Sequence, residues 1–346
     1  MQSQFDDSTK FKPPGSSMNS AQTRELQTVL IGQIARALAV FCVDEVVIFD
    51  DGTIKSNPRY QNNGDGSQTQ HNGNSDHSYT GYSDPNYFFA RVLSYLECPP
   101  HLRKALFPMH QDLKLAGTLP SLDMPHHLRK NEWCQYREGV TIGDGEAPHG
   151  KSESKEEKSR VHTLVRTGLD QNVYAEAAIP VNTRVTLKLS DKERNVDGLG
   201  KALHGIPVAP SAPREKVGYY WGYSVRSASS LSALITECPF DGGYDLTFGT
   251  SERGDPISEI DGPTGDKGPI PEFNHMMIVF GGVSGLEAAV RADKELEALG
   301  VRTPSALFDF WINLCPGQGS RTIRTEEALW MGLNGLRNVV LRKGIC

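Results

Sequence analysis

The last third of the chain alternates short apolar runs with segments of helical periodicity. Two of the apolar runs read HMMIVFGG and LFDFWINL, and the segment between them, LEAAVRADKELEALG, has the spacing of an amphipathic helix. A strand, a helix and a second strand in this order form the repeating unit of a parallel sheet. The pattern therefore predicts an α/β fold built on a buried parallel sheet.

The same unit occurs near the start of the chain. Leu30, Ile34 and Leu38 fall on one helical face, and the apolar run VVIF follows at residues 46–49. Further strands are predicted in GYYWGYSV and YDLTFGTS, and further helices in YFFARVLSYL, HLRKALF, SASSLSALITEC and EEALWMGLNGLRNVV. The α/β pattern therefore lies on both sides of the middle of the chain.

The middle of the chain has a different pattern. Four segments are short and rich in β-branched residues: CQYREGVTI, RVHTLVRTG, QNVYAEAAI and TRVTLKL. In the last one, Val185, Leu187 and Leu189 alternate with polar residues, which is the two-residue period of a half-buried strand. These segments predict a small β-barrel of OB type, with another small antiparallel sheet as the alternative. The following GIPVAPSAPRE is predicted to be a turn-rich connection.

The predicted organisation is a discontinuous α/β domain with a barrel inserted in it. Residues 53–84 are dominated by Asn, Gly, Ser, Gln, Asp and Tyr, which cannot bury enough apolar surface to offset the loss of conformational entropy. The predicted boundaries are a disordered N-terminus at 1–20, a first α/β part at 21–132 with a disordered insertion at 53–84, the barrel at 133–216 and a second α/β part at 217–346.

Composition argues against several classes of protein. No stretch approaches the roughly 18 apolar residues of a membrane span, and the N-terminus lacks the apolar core of a secretory signal. The six cysteines include no Cys-x-x-Cys pair, so no disulfide framework and no metal site are predicted. The net charge of −6 neither indicates nor excludes a nucleic-acid partner. These features predict an intracellular protein of the nucleus, nucleolus or cytoplasm.

Three predicted strands of the second α/β part end in loops of small residues. The loops are FGTSERG, VFGGVSG and NLCPGQGSRT. In open parallel sheets ligands bind beyond the carboxyl ends of the strands, and glycine lets backbone approach a ligand closely. A tight turn explains each glycine taken alone, but three such loops together favour a ligand site. The chain has no GxGxxG fingerprint, no GxxxxGK[ST] loop and no GxSxG elbow.

Two segments of this chain resemble the C-terminal knotted half of the SPOUT-class (α/β-knot) RNA methyltransferases. They are HMMIVFGGVSGLE and LFDFWINLCPGQGSRTIRTEEA. Two further segments resemble the eukaryotic and archaeal branch of that family, which carries an OB-fold insertion. They are LIGQIARALAVFCVDEVVIFDD and GYYWGYSVRSASSLSALITECPFDGGYDLTFGTSERG. The resemblance covers most of the chain from about residue 18. It departs at the N-terminus, where the family has an apolar strand before Pro-Gly-Ser and this chain reads KFKPPGS.

The resemblance implies a trefoil-knotted sheet, a homodimer, and S-adenosylmethionine held bent in the knot, with S-adenosylhomocysteine as product. Because main-chain groups hold the adenine, side chains at points of close approach would clash. The implied cofactor contacts are Thr250, Arg253, Gly281, Gly282, Asn313, Leu314, Gly319, Thr322 and Ile323. Leu314 and Ile323 would give the adenine apolar walls, and Ile323 is alternatively the first core residue of the last helix.

Arg253 is the candidate catalytic residue. By resemblance it lies near the cofactor or the target base, where a guanidinium is suited to hold the cofactor carboxylate or an RNA phosphate. The alternative is a solvated loop arginine paired with Glu252.

Candidate RNA contacts come from two places. Arg321 and Arg324 precede the last helix, where the dipole disfavours positive charge, so contact with RNA phosphate or a dimer partner is predicted. Arg129 and Lys130 form a second candidate phosphate-binding edge, with a solvated loop as the alternative. Tyr136 and Tyr174 lie on predicted barrel strands, and at least one of them is expected in the barrel core.

The resemblance implies an S-adenosylmethionine-dependent methyltransferase that acts on ribosomal RNA, at a base nitrogen of a uridine. Such a reaction needs little acid–base machinery, because the sulfonium is already activated and alignment supplies most of the effect. The alternative is a non-catalytic RNA- or protein-binding factor that keeps the knot for dimerisation. The intact CPGQGSRT and FGG loops argue against that alternative.

Overall fold

The chain folds into two compact units in this computed structural model. The structure describes residues 9–12, 21, 23–53, 78–145, 162–190, 203–260 and 270–345. Of the described residues, those within Asp6–Glu97, Met109–Leu122 and Tyr223–Cys346 form the sheet unit. Those within Cys98–Pro108 and Asp123–Gly222 form the barrel unit.

The described part of the sheet unit is built on six parallel strands. Their bounds are β1 Thr9–Lys12, β2 Glu45–Phe49, β8 Ser224–Ala228, β9 Leu246–Pro256, β10 Met276–Val279 and β11 Phe310–Asn313. They lie in the order β11-β9-β10-β1-β2-β8, and every neighbouring pair is parallel. All residues of β2 and β10 are buried, as expected for parallel strands covered on both faces. The predicted parallel α/β sheet is confirmed.

The helices follow the predicted periodicity. Those of the sheet unit are α1 Arg24–Val40, α2 Pro85–Glu97, α5 Leu231–Thr236, α6 Ile257–Ile260, α7 Gly285–Ala292, α8 Lys294–Ala298, α9 Thr325–Gly335 and α10 Arg337–Lys343. Two predicted helices are each divided in two, at Asp293 and at Leu336. Among the described residues, no helix combines the length and apolar character needed to cross a bilayer.

One part of the hydrophobic core lies between the sheet and the helices α5 and α7. Val47 and Phe49 of β2 and Met277 and Val279 of β10 belong to one buried cluster, which also contains residues of α5 and α7 such as Leu286. Burying each such side chain stabilises the fold by about 1.5–3 kcal/mol relative to exposure. This packing holds the strands from which the loops of interest emerge.

The N-terminal strand of the sheet is present. Residues 9–12 form β1, which pairs with β10 on one side and β2 on the other. The prediction of disorder at 1–20 is therefore wrong for these four residues, and most of the remainder lies outside the described part of the chain. A strand with a single apolar residue suffices here because the ladder is formed by backbone groups, which β10 and β2 offer on both sides.

The predicted disordered insertion at 53–84 lies mostly outside the described residues. Its last part, residues 78–84, is described and is held in place. Thr80 is buried, and its N and Oγ1 donate to the Asp112 carboxylate at 2.8 Å each. The prediction is wrong for residues 78–84, because Asp112 lies far along the sequence and supplies partners that composition does not reveal.

The barrel unit contains a closed five-stranded barrel. Its strands are β3 Tyr136–Gly145, β4 His162–Arg166, β5 Val173–Ala175, β6 Arg184–Leu189 and β7 Leu203–Val208. They close in the order β3-β4-β5-β7-β6, with β5 and β7 parallel and the other described pairs antiparallel. Helices α3 Pro100–Leu106 and α4 Ala212–Val217 belong to the same unit.

Strand β7 was not predicted. It includes GIPV, which the sequence analysis assigned to a turn-rich connection because Gly and Pro are disfavoured in strands. Pairing with β5 and β6 outweighs that local preference. The barrel unit also extends beyond the predicted 133–216, since Trp221 Nε1 donates to Glu138 Oε1 at 2.7 Å and His101 Nε2 donates to the Glu138 carbonyl at 3.1 Å.

Candidate functional site

The carboxyl ends of β11, β9 and β10 are neighbours at one edge of the sheet. β9 is the middle strand of the three. Because the strands are parallel, the residues that follow them meet at this same edge, here called the carboxyl edge. The structure thus brings together the three small-residue segments that the sequence analysis singled out.

The first of these segments, FGTSERG, is not the end of its strand. Gly249 of β9 pairs with Trp311 of β11, and the next pair along β11 is Ile312 with Asp255. Residues 250–254 therefore bulge out between two paired stretches, and β9 continues to Pro256. A side chain at Gly254 would not fit, since its Cβ would lie 2.4 Å from the carbonyl carbon of Ile312.

The segments after β9 and β10 are tied together. Thr250 Oγ1 donates to the Val279 carbonyl at 3.1 Å. A Cβ on Gly281 would lie 2.9 Å from the backbone of Gly285, so only glycine fits there without a shift. Gly285 N donates to the Gly282 carbonyl at 3.0 Å and closes the turn into α7. Bare backbone at position 281 is therefore a requirement of the fold itself.

Asn313 ties β11 to the bulge of β9. Its Nδ2 donates to the Glu252 carbonyl at 2.8 Å, and its Oδ1 accepts from Cys315 N at 3.0 Å. The side chain of Asn313 is therefore engaged within the fold. Asn313 was predicted as a cofactor contact, and its role in fastening the bulge was not predicted.

The loop between β11 and α9 is open. Gly319 and Thr322 are exposed, and a Cβ on Gly319 would meet nothing within 4 Å. The protein's own packing therefore does not require glycine at 319, whereas Gly317 has a φ of +72° that favours glycine. Leu314 and Ile323 are half-buried, as apolar walls of a shallow site would be.

Arg253 projects from the β9 bulge into solvent. Its side chain is 77% exposed, and Nη1 lies 4.0 Å from Glu287 Oε1 in the first turn of α7. The alternative considered from sequence was an ion pair between Arg253 and Glu252, but the partner in the structure is Glu287. The weak, exposed pair leaves Arg253 able to reorient toward an anion.

Arg321 and Arg324 are exposed at the entrance to α9. Arg324 is the N-cap residue of that helix, and its backbone N donates to Glu327 Oε2 at 2.9 Å. An arginine side chain cannot accept hydrogen bonds from the first N–H groups of a helix. The structure therefore shows no capping role for either guanidinium.

The other candidate RNA contacts belong to the barrel unit. Arg129 and Lys130 are exposed, and Lys130 Nζ forms an ion pair with Asp170. Tyr136 is buried and packs edge-on against Trp221, so it is a core residue. Tyr174 is half-buried with its ring 5.6 Å from that of His204. The expectation that at least one tyrosine lies in the core is confirmed for Tyr136.

Asp293 holds α7 and α8 in place behind the carboxyl edge. Its carboxylate accepts from Ser232 N at 2.7 Å and from Leu296 N at 3.2 Å. Burial raises the pKa of Asp293, but these and further hydrogen bonds outweigh it and leave the pKa below its ordinary value. The Asp293 carboxylate is therefore charged, it caps the N-terminus of α8, and its role is structural.

One polar residue at this edge was missed as a site residue. Glu326, in the first turn of α9, is only 8% exposed, and its Oε2 has no hydrogen-bond partner among the described residues. Helical spacing places it on the same stripe as Leu329 and Leu333, a signal that was available in the sequence. The described residues contain no group of His, Cys, Asp and Glu side chains that could hold a metal ion.

Comparison with known proteins identifies the family. Residues 13–336 match a family model described as "Putative RNA methyltransferase". The chain is 42% identical over 335 residues to the 28S rRNA (uridine-N(3))-methyltransferase of Homo sapiens, covering 96% of this chain and 78% of the human protein.

Two further relatives carry the same name. The Mus musculus protein is 43% identical over 326 residues, covering 94% of this chain and 74% of its own length. The Drosophila melanogaster protein is 42% identical over 328 residues, covering 94% of this chain and 60% of its own length. Together with the family match, these identities show that the chain belongs to the SPOUT-type RNA methyltransferase family.

Proposed function

We propose that this protein transfers a methyl group from S-adenosylmethionine to N3 of a uridine in ribosomal RNA. The acceptor is supported by identities of 42–43% to three relatives named as 28S rRNA (uridine-N(3))-methyltransferases. The observation that carries the proposal for the site is the meeting of β11, β9 and β10 at one edge, with backbone rather than side chains lining it.

The residues of the carboxyl edge fit a cofactor held by main-chain groups. Gly281 and Gly319 present no side chain, and Thr250 and Asn313 have theirs turned into the fold. We assign the cofactor contacts to these four residues, together with Arg253, Gly282, Leu314, Thr322 and Ile323. S-adenosylmethionine, when bound, supplies a methyl group already activated by its sulfonium.

In this proposal the side chains of the protein bind the ligands and align the reacting atoms. Arg253 holds an anionic group, either a carboxylate or an RNA phosphate, and its weak contact with Glu287 leaves it free to do so. Arg321 and Arg324 bind RNA phosphates beside the same loops, and Arg129 and Lys130 do so on the barrel unit. Alignment of the uridine nitrogen with the methyl group supplies most of the rate enhancement.

A trefoil knot is part of the proposal. The chain passes β9 on its way from β10 to β11. After the loop, α9 returns to the end of β10, where a Cβ on Gly332 would lie 3.0 Å from the Phe280 ring and 3.3 Å from Leu314 Cδ1. Return of the last helix to an earlier strand end is the course that a C-terminal knot requires.

The barrel is proposed to be an OB fold that contacts RNA. Its strand order, and the parallel pairing of β5 with β7 in an otherwise antiparallel barrel, support this assignment. The half-buried rings of Tyr174 and His204 lie side by side on β5 and β7, a suitable platform for a stacked base.

A homodimer is proposed through the outer faces of α1, α9 and α10. Val29 and Val40 of α1 are 46% and 48% exposed, and Leu341 of α10 is 53% exposed. Trp330 of α9 is 38% exposed and packs edge-on against Phe41 with ring centroids 5.5 Å apart. Apolar surface of this kind on neighbouring helices is typical of subunit interfaces.

The test is methyl transfer to total RNA, followed by digestion and mass spectrometry of the nucleosides. The expected product is N3-methyluridine from the large ribosomal RNA. Gly319→Trp is the matched variant: position 319 has room for a side chain, so the variant should fold, bind no S-adenosylmethionine and transfer no methyl group. RNA binding without transfer, despite bound cofactor, would support the non-catalytic factor instead.

A further inference from the structure

Glu326 differs from three other buried carboxylates among the described residues. Glu45, Glu138 and Asp293 each accept at least two hydrogen bonds from other residues. Glu326 is 8% exposed, and its Oε2 is buried without a hydrogen-bond partner among the described residues. A buried polar atom left unpaired destabilises the folded state, and more so if charged, so its presence calls for a functional reason.

The packing of α9 shows where Glu326 lies. A Cβ added at Gly332 of this helix would lie 3.0 Å from the Phe280 ring and 3.3 Å from Leu314 Cδ1, so the helix backbone passes close to these two residues, which directly follow β10 and β11. Glu326 precedes Gly332 by six residues, which at 1.5 Å per residue places it about 9 Å further along the helix axis. Because α9 begins at the carboxyl-edge loop, this displacement is toward that loop and away from the sheet.

The local charges favour a cationic ligand. Glu326 is in the first turn of α9, where the helix dipole stabilises negative charge. The described structure shows no ion pair between it and any side chain, and Arg321 and Arg324 are exposed. A buried carboxylate in this position needs a positive or hydrogen-donating group that the described residues do not supply.

We propose that Glu326 binds a positively charged group of S-adenosylmethionine, which carries a sulfonium and an α-ammonium group. The inference rests on the proposed function and extends it, since it assigns the cation subsite to a side chain while main-chain groups hold the rest of the cofactor. Glu326 thereby completes its hydrogen bonding only when the cofactor is bound.

The experiment is calorimetric titration of the full chain with S-adenosylmethionine and with S-adenosylhomocysteine. Glu326→Gln is expected to weaken binding of S-adenosylmethionine at least tenfold. Glu327→Gln, one residue along, removes the same charge from an exposed side chain that can still accept from Arg324 N, and it should bind like the wild type. Equal losses for both ligands point to the α-ammonium group, and a loss for S-adenosylmethionine alone points to the sulfonium.

A thermal melt of each ligand-free variant separates binding from architecture. Removing an uncompensated buried charge should leave the melting temperature of Glu326→Gln equal to or above that of the wild type. A lower melting temperature together with weak binding would show a structural role and overturn the proposal. So would affinities within twofold of the wild type for both ligands. A wild-type protein that binds neither ligand would instead refute the proposed function.

Discussion

The two edges of the parallel sheet are built in opposite ways. At the amino edge, Glu45, Asp245 and Asp309 stand at or just before the starts of β2, β9 and β11, and each accepts at least two hydrogen bonds. At the carboxyl edge, Gly319 has open space around it, and buried Glu326 has a carboxylate oxygen without a partner among the described residues. Hydrogen bonds from Thr250 and Asn313 also tie segments together at the carboxyl edge, but that edge in addition contains an open glycine and an unpaired buried carboxylate oxygen.

This difference separates stability from function within one sheet. Polar groups that are paired within the protein lower the free energy of the folded state and need nothing from outside. Buried polar groups without hydrogen-bond partners are retained where a ligand supplies the missing hydrogen bonds. Substitutions at the amino edge are therefore expected to change unfolding, and those at the carboxyl edge to change binding.

The largest expected effect is at the amino edge, in Glu45→Gln. Glu45 is 2% exposed and accepts from Arg226 Nε at 3.1 Å and from the Tyr244 hydroxyl at 2.6 Å. Burial, together with the hydrogen bond to Glu45, raises the pKa of Tyr244, so its hydroxyl remains a donor. Loss of the carboxylate leaves Arg226 with only the exposed Glu237 as counter-charge, 3.9 Å away, and should cost about 3 kcal/mol.

Urea denaturation measures this loss, with Glu297→Gln on the exposed face of α8 as the control. Affinity of the folded Glu45→Gln protein for S-adenosylmethionine should equal that of the wild type. Unchanged unfolding, or lost binding in the folded variant, would remove the distinction between the two edges.

Gly254→Ala is the next largest effect and breaks the carboxyl edge itself. The new Cβ would lie 2.4 Å from the Ile312 carbonyl carbon, so β9 and β11 must move apart. Overpacking of this kind should cost about 2 kcal/mol in stability, and displacement of the loops should lower methyl transfer about a hundredfold. Gly117→Ala is the matched control, because its Cβ meets nothing within 4 Å. If the two variants retained equal activity, the close approach at Gly254 would have no bearing on the site.

Replacing Arg321 and Arg324 with alanine should affect RNA alone. Two lost phosphate contacts are expected to weaken RNA binding about tenfold and to reduce the slope of log K against log salt by about 1.4. Unfolding should not change, since both guanidiniums are exposed and neither caps α9. Filter binding over a salt series gives the slope, and the exposed pair Arg291→Ala with Arg302→Ala serves as control. An unchanged slope would assign these arginines to a protein partner instead.

The smallest expected effect is the pH dependence from Asp245. Burial raises the pKa of Asp245, but hydrogen bonds from the backbone N–H groups of Asn274 and His275 outweigh it, and the net pKa lies below its ordinary value. A lowered folded-state pKa means that the stabilisation is complete above about pH 4 and is lost as pH falls further.

The exposed position of Asp245 limits this contribution to about 1 kcal/mol. Denaturation of the wild type and of Asp245→Asn from pH 3 to pH 7 should show that difference at neutral pH and its disappearance at the acid end. If the difference in free energy of unfolding between the two proteins stayed constant across this pH range, the Asp245 carboxylate could not be its source.

The predictions from sequence succeeded where local pattern and packing agree. The apolar runs of β2, β10 and β11 are strands, and the stripe of α1 that includes Leu30, Ile34 and Leu38 is buried. They failed for β1 and β7, whose Lys, Gly and Pro residues carry little strand signal and whose partners are distant in sequence. The bulge in β9 was likewise invisible, because it exists only in the register between β9 and β11.

For the candidate site, the glycines and arginines of the loops were identifiable from residue type, since each type has a distinct physical property. Their partners were not. Arg253 faces Glu287 rather than Glu252, and Asn313 fastens the bulge. Each of these contacts joins segments that only the folded sheet brings together.

By itself, the sequence determined most of the strands and helices and which loops are free of bulky side chains, because periodicity and residue type act over a few neighbouring residues. Only the tertiary structure decided that three strand ends share one edge and that Glu326 is buried there without a partner. Burial and pairing depend on distant residues, and whether a polar group is satisfied can be judged only when all of its neighbours are in place.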